Sequence, residues 1–215
     1  AAGGAALSRA RRLVGAGALG VVVAFLRDVK TSWKPWALPE RMGEEWVLRA
    51  PSGRVMARMP EGSLHFDQVY WPFLDGPEDL SRIAELYPEH MWTGVASPPG
   101  PSIGSMDELS AGARSLQTST NRAILGLFGG NLLEMGQFYY RMDNFLAMLG
   151  SEPERVHRFL DALVEIHLAN LKRFLGAVGD SIDIICFGDD LGAQNCPQIS
   201  PRMYREFFFP REQRM

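Results

Sequence analysis

The sequence predicts an α/β fold built from parallel βα units. Three observations carry that expectation. An apolar pattern, Ile182, Ile184, Ile185 and Phe187, runs straight into two acids, Asp189 and Asp190. Before it, Val156, Phe159, Leu160, Leu163, Leu171, Phe174 and Leu175 recur at helical spacing, so one face of a long helix is core. Earlier still, Ala123 to Phe128 is a short apolar run followed by a second helical stretch. Strand, helix and strand in alternation is the rhythm of a parallel sheet.

The elements follow in chain order. Arg9, Arg11 and Arg12 precede an apolar run from Leu13 to Leu26, which resembles the charged and apolar regions of a signal peptide. No small-residue cleavage site follows, because the run ends in Arg27 and Asp28. It is also too short for a membrane span. We read it as a helix ending near Gly15 to Gly20 and then a buried strand, Val21 to Leu26. Residues 31–75 read as irregular with short strands. Within them, Trp46-Val47-Leu48, the turn Pro51-Ser52-Gly53-Arg54 and Val55-Met56-Ala57 spell a hairpin.

Glu78 to Tyr87 reads as a short helix between Pro77 and Pro88. Pro98-Pro99-Gly100-Pro101 marks a loop. Ser105 opens a helix, with Glu108 completing a capping box. After the strand Ala123 to Phe128, Gly129, Gly130 and Asn131 form a turn, and Leu132 to Leu149 reads as one helix. Ser151 and Glu154 form a second capping box at the head of the long helix, which Gly176 and Gly179 end. Ser200 caps a last helix with Pro201 at its first position.

Composition narrows the function classes. Hydrophobic residues make up 46% of the 215 residues and charged residues 22%, an ordinary globular balance. The net charge is −3, the pI is near 5.8, and no basic patch stands out, which argues against nucleic acid as a partner. Two cysteines, Cys186 and Cys196, make no disulfide framework and fit a reduced, cytoplasmic setting. His65, His90, His157 and His167 form no ligand-spaced motif, and no Ser/His/Asp arrangement suggests itself. His167 reads as a satisfied buried side chain and Cys186 as core. Cys196, in a rim loop, reads equally as reactive or structural. No metal site is expected within the chain.

The chemistry concentrates where strands end. No core tolerates two unpaired carboxylates, so the strand must emerge at Asp189 and Asp190, where α/β enzymes hold their reacting groups. Such a pair can accept hydrogen bonds from N–H donors or orient a metal ligand. Alternatively, one acid caps the following turn and the other is solvated. We assign the catalytic roles to Asp189 and Asp190. Gln194 and Asn195 lie just beyond on the same rim, able to contact a carboxamide or carboxylate arm or simply to satisfy their own loop. Gly129 and Gly130 let a backbone approach a ligand; Asn131 either joins them or caps the next helix. Glu134 and Gln137, in the first two turns of that helix, reach the same mouth. Phe138 and Tyr139 pack in the core or at an interface.

Two segments, GDDLGAQ (188–194) and ISPRMYREFFFP (199–210), resemble the signature of the uroporphyrinogen decarboxylase superfamily, which includes cobalamin-dependent methyltransferases. The resemblance is strongest from Ser105 to Met215. It continues more loosely through Met42-Gly43-Glu44-Glu45-Trp46 and Tyr70-Trp71-Pro72-Phe73. It implies a (β/α)8 TIM barrel, here a single partial domain over 1–215, with 31–75 a cover near the barrel mouth and 105–215 the βα units. Such a barrel takes roughly 250 residues, so the expectation is a truncated piece.

The resemblance further implies a tetrapyrrole or corrinoid ligand, a corrinoid protein as a possible partner, and no membrane or nucleic acid. Zinc would enter only through ligands outside this chain, since the family's His-x-Cys pair and later Cys are absent. The decarboxylase branch carries another residue where Asp189 stands, and its Arg-rich opening and catalytic Asp are not recognisable. Cobalamin-dependent methyl transfer is therefore expected ahead of uroporphyrinogen decarboxylation in porphyrin biosynthesis. A non-catalytic fragment or binding subunit, prone to homo-oligomerise through open strand edges, is the reading from another class.

Overall fold

Apolar residues alternate with turn chemistry through 40–68, and this segment folds as an antiparallel sheet. The computed structural model describes residues 40–50, 52–84, 86 and 106–215; the expected strand Val21–Leu26, the loop at 98–101 and the Ser105 cap lie outside them. β1 (Glu40–Met42), β2 (Glu45–Arg49), β3 (Val55–Pro60) and β4 (Asp67–Gln68) pair in that order. The expected hairpin is present: β2 and β3 are antiparallel, from Glu45↔Pro60 to Arg49↔Val55. Its turn is closed by Ala50 N–H donating to Arg54 O (2.8 Å). Gly53 takes φ +84° there, a conformation that favours glycine.

The chain forms two compact units. In the first, which includes residues 106–129 and 169–188, β5 (Leu125–Gly129) and β6 (Ile184–Phe187) pair in parallel, from Leu125↔Ile184 to Gly129↔Phe187. The α/β class and the parallel βα rhythm therefore stand. Helix α2 (Met106–Ser119) buries Leu109 and Ala113, and Phe128 meets Phe174 at 5.7 Å. A Cβ on Gly126 would come within 2.9 Å of Ile182 and 3.1 Å of Phe174, so strand and helix approach closely only because that residue is glycine. Asp183 Oδ2 accepts from Ile124 N–H at 2.9 Å and ties the strand entrances together.

The first correction concerns burial. β6 is not a buried strand. Ile184 is 42% exposed, Phe187 38%, and Leu127 on its partner 40%, while Cys186 is half-buried and not core. Apolarity along a strand records a preference for burial, but only a neighbouring layer supplies it.

The second unit holds the antiparallel sheet together with 130–168 and 189–215. Its core is aromatic. Phe73, at the head of α1 (Pro72–Asp75), lies 4.9 Å from Tyr139 and 6.2 Å from Phe159, and Tyr140 lies 5.1 Å from Phe159. Within the expected 78–87 helix, the described residues form a 3-10 turn at Leu80–Arg82, capped by Asp79, and helical residues at 83, 84 and 86; 85 and 87 lie outside the described residues.

The helix expected over 132–149 is two, α3 (Leu133–Tyr140) and α4 (Met142–Ser151). Arg141 breaks it with φ +68° and ψ 144°, outside the helical region. Gly136 allows the two to fold together: a Cβ there would sit 2.1 Å from the Phe145 ring. Ser151 closes α4 by donating to Ala147 O (3.1 Å), and does not open the long helix. That helix, α5 (Pro153–Val178), starts at a proline, which has no N–H to leave unpaired at the first position. It runs on through Gly176, with Gly179 N–H donating to Leu175 O at 2.8 Å.

The last helix starts as expected. Ser200 accepts from Met203 N–H with Pro201 behind it, in α6 (Pro201–Met203). It passes through a π turn, Tyr204–Phe208, into α7 (Phe209–Glu212). Arg211 straps it to α5, donating to Phe207 O and His157 O and pairing with Asp161 at 2.6 Å. Among the described residues, no helix is long and apolar enough to cross a membrane.

Candidate functional site

Helix α3 begins without a cap of its own: Leu132 stands at the cap position and offers no side-chain acceptor. A helix end leaves its first N–H groups unpaired, and they must find a partner. Asp189 supplies it from 57 residues away. Its Oδ2 accepts from Leu132 N–H (2.9 Å) and Leu133 N–H (2.6 Å), and its Oδ1 from Glu134 N–H (3.0 Å). Oδ1 also accepts from Asp190 N–H at 3.1 Å. A carboxylate offers about four lone-pair positions, and four N–H groups take them. Burial pushes the Asp189 carboxyl up to about 6, against the pull of these N–H groups.

Around this anchor the second unit gathers most of the residues singled out in sequence. Glu134 is half-buried and accepts from the Asn131 side-chain amide. Its carboxyl is raised, by burial first and by the Asp190 charge, against the lowering effect of Asn131. Asn131 is held in turn by His167, whose Nε2 lies 3.0 Å from the Asn131 carbonyl. A carbonyl only accepts, so Nε2 carries the proton. Burial holds this imidazole down at about 4, neutral near pH 7, which agrees with a satisfied buried histidine. Asp190 is exposed beside Asp189.

Gln137 is buried, and its amide donates to Gln198 Oε1 at 2.7 Å. Gln194 and Asn195 are exposed at the end of a small hairpin, where Ala193 N–H donates to Cys196 O at 2.7 Å. Gly130 takes φ +77° just before Asn131. Gly129 belongs to the first unit, where it ends β5 with φ +89° and accepts from Gly188 N–H at 2.8 Å.

Two further groups escaped the sequence reading. Gln198 has no motif signal of its own. Tyr204 lies within the ISPRMYREFFFP segment (199–210). Its hydroxyl donates to Glu212, and that bond, with burial and the Glu212 and Asp189 charges, pushes the phenol up to about 12. Tyr204 also opens the π turn, a departure from helix geometry common at functional positions.

The arrangement is acidic. Among the described residues, no Lys or Arg makes an ion pair with Glu134, Asp189 or Asp190. Such a surface accepts hydrogen bonds and repels anions. Also among the described residues, no cluster of three His, Cys, Asp or Glu side chains is arranged to hold a metal ion. Cys186 and Cys196 are free thiols. Comparison with family models, with curated proteins and with solved structures gave no match.

Proposed function

We propose that this chain forms the ligand-facing part of a (β/α)8 enzyme of the uroporphyrinogen decarboxylase type, acting on a corrinoid in methyl transfer. One observation carries the reading. The GDDLGAQ segment and the segment that follows the glycine turn are joined in the second unit by Asp189, seated on the first turn of α3. In this reading both segments face the ligand.

In this reading Asp189 builds the cleft and does not touch the ligand, because its lone pairs are occupied. Asp190, exposed, and Glu134, engaged through one oxygen by Asn131, accept N–H groups from the ligand. Unpaired carboxylates favour a ligand rich in N–H donors, such as the carboxamide arms of a corrin ring. They disfavour uroporphyrinogen, whose arms are themselves carboxylates. A zinc thiolate does not fit the donor set here. The nearest imidazole has its Nε2–H engaged by a carbonyl, and the acids are hard oxygen ligands. What these residues do is bind and orient.

The test is an absorbance titration with methylcobalamin, set beside a binding assay with uroporphyrinogen. Wild-type protein binds methylcobalamin, and Asp190→Asn weakens it by about fivefold to tenfold, the effect of losing one hydrogen bond to a charged acceptor. Binding of uroporphyrinogen alone would replace methyl transfer with decarboxylation. Binding of neither would leave the non-catalytic subunit as the better description.

A further inference from the structure

We propose that Gln198 is a positioning residue: it fixes the small hairpin that presents Gln194 and Asn195, and links that hairpin to helix α3. The inference rests on the reading above for what the hairpin faces, but its geometry stands within one unit.

The hairpin is defined by its backbone. Gln198 N–H donates to Leu191 O (2.9 Å), Gly192 and Pro197 form an antiparallel bridge, and Ala193 N–H donates to Cys196 O (2.7 Å). Gln194 and Asn195 are the two residues left at the tip. A two-stranded hairpin this short does not hold itself in water, and residues 192–197 are all exposed. Its order must come from its base.

Gln198 supplies that base. Its Nε2 donates to Asp190 O at 2.9 Å and, more weakly, towards Gly192 O at 3.5 Å. Its Oε1 accepts from the buried Gln137 amide at 2.7 Å. One side chain thus grips the carbonyl of the exposed acid, the start of the hairpin and the second turn of α3. A primary amide is suited to this place, because it donates and accepts from one planar group. Glutamate lacks the donor and methionine lacks both functions. Gln137, singled out in sequence as a ligand contact, has its amide N–H committed to this latch.

The experiment uses Gln198→Glu and Gln198→Met in the full chain, with circular dichroism to establish folding. Two quantities are read: hydrogen exchange of the Ala193 and Gln198 amides, and the affinity for methylcobalamin. The expected result is exchange at least about tenfold faster at both amides in both variants, since each loses at least the bond to Asp190 O, with exchange in α5 unchanged. Methylcobalamin binding should weaken by a similar factor. Gln198→Met controls for the charge that Gln198→Glu adds.

Unchanged exchange at Ala193 and Gln198 would overturn the proposal. Faster exchange with unchanged methylcobalamin affinity would overturn the part that makes the hairpin a ligand contact. If wild-type protein binds no methylcobalamin, the proposed function fails, while the exchange data still decide whether Gln198 holds the hairpin.

Discussion

Replacing Asp189 with alanine removes the side-chain acceptor of three backbone N–H groups at the head of α3. The N–H groups of Leu132, Leu133 and Glu134 lose bonds of 2.9, 2.6 and 3.0 Å. A buried donor left unpaired costs about 1–3 kcal/mol, so three cost about 3–9 kcal/mol if water stays out. Relief of the buried charge opposes this. A carboxyl raised from 3.8 to about 6 is strained by roughly 3 kcal/mol, at about 1.4 kcal/mol per pKa unit. Water entering the vacated space serves some of the freed N–H groups. The net loss at pH 7 is about 2–4 kcal/mol. At a urea dependence of about 2 kcal/mol per molar, the unfolding midpoint falls by about 1–2 M. Urea titration followed by tryptophan fluorescence measures it, and hydrogen exchange of amides 132–136 localises it. A loss under about 1 kcal/mol, or exchange in α3 no faster than in wild type, would refute the claim that Asp189 holds this helix.

The remaining predictions concern pH and backbone fit. Asp189 has a folded-state pKa of about 6, above its ordinary 3.8, so the folded state binds the extra proton between those values. Its contribution to stability is full below about 4 and is lost as pH rises through 6; Asp189→Asn should abolish that slope in urea titrations from pH 4 to 7, and an unchanged slope would count against it. His167 acts with the opposite sign. Its folded pKa of about 4 lies below the ordinary 6.5, so its contribution is present above 6.5 and fades as pH falls towards 4. His167→Leu should cost about 1–2 kcal/mol at pH 7 by leaving the Asn131 carbonyl unpaired, and should reduce acid sensitivity. Gly136→Ala places a Cβ 2.1 Å from the Phe145 ring and should destabilise by about 3 kcal/mol in thermal unfolding. Arg141→Gly relieves a positive φ of 68° and gives up an exposed pair with Asp143. It should leave stability unchanged or raise it by about 1 kcal/mol, and a clear loss would show that the arginine side chain matters more than its backbone.

What could be read in advance was what local rules govern. The β2–β3 hairpin follows from a Pro-Ser-Gly turn between apolar runs. The Ser200-Pro201 start follows from capping chemistry. The helical stripe of α5 follows from periodicity over many residues: Val156, Phe159, Leu160, Leu163, Leu171 and Phe174 are all buried, whereas Leu175, expected on the same face, is 42% exposed. What escaped was set by contacts far apart in sequence. Nothing at Arg141 marks a break, because the break is imposed where Gly136 lets the Phe145 ring in. Ser151-Glu154 fits a capping box by spacing, yet the helix starts at Pro153, which has no N–H of its own at the first position. The exposure of Ile184 and Phe187 depends on which layer covers the sheet, and a strand's own residues do not encode that.

The acid pair shows the same division most clearly. Sequence pattern places Asp189 and Asp190 at a strand end and says they must have partners. It does not say whether those partners are ligand or protein. Here the first acid is saturated by four backbone N–H groups and the second is left exposed. Adjacent carboxylates with the same motif signal thus divide into one that organises the local fold and one available to a ligand. The division has a physical cause. A bare helix N-terminus is a strong attractor for a carboxylate; Asp189 occupies it, and Asp190 is left exposed. An acid motif is therefore best weighed by counting the lone pairs its fold leaves open, and by that count Asp190 and Glu134 are the residues on which ligand binding should depend.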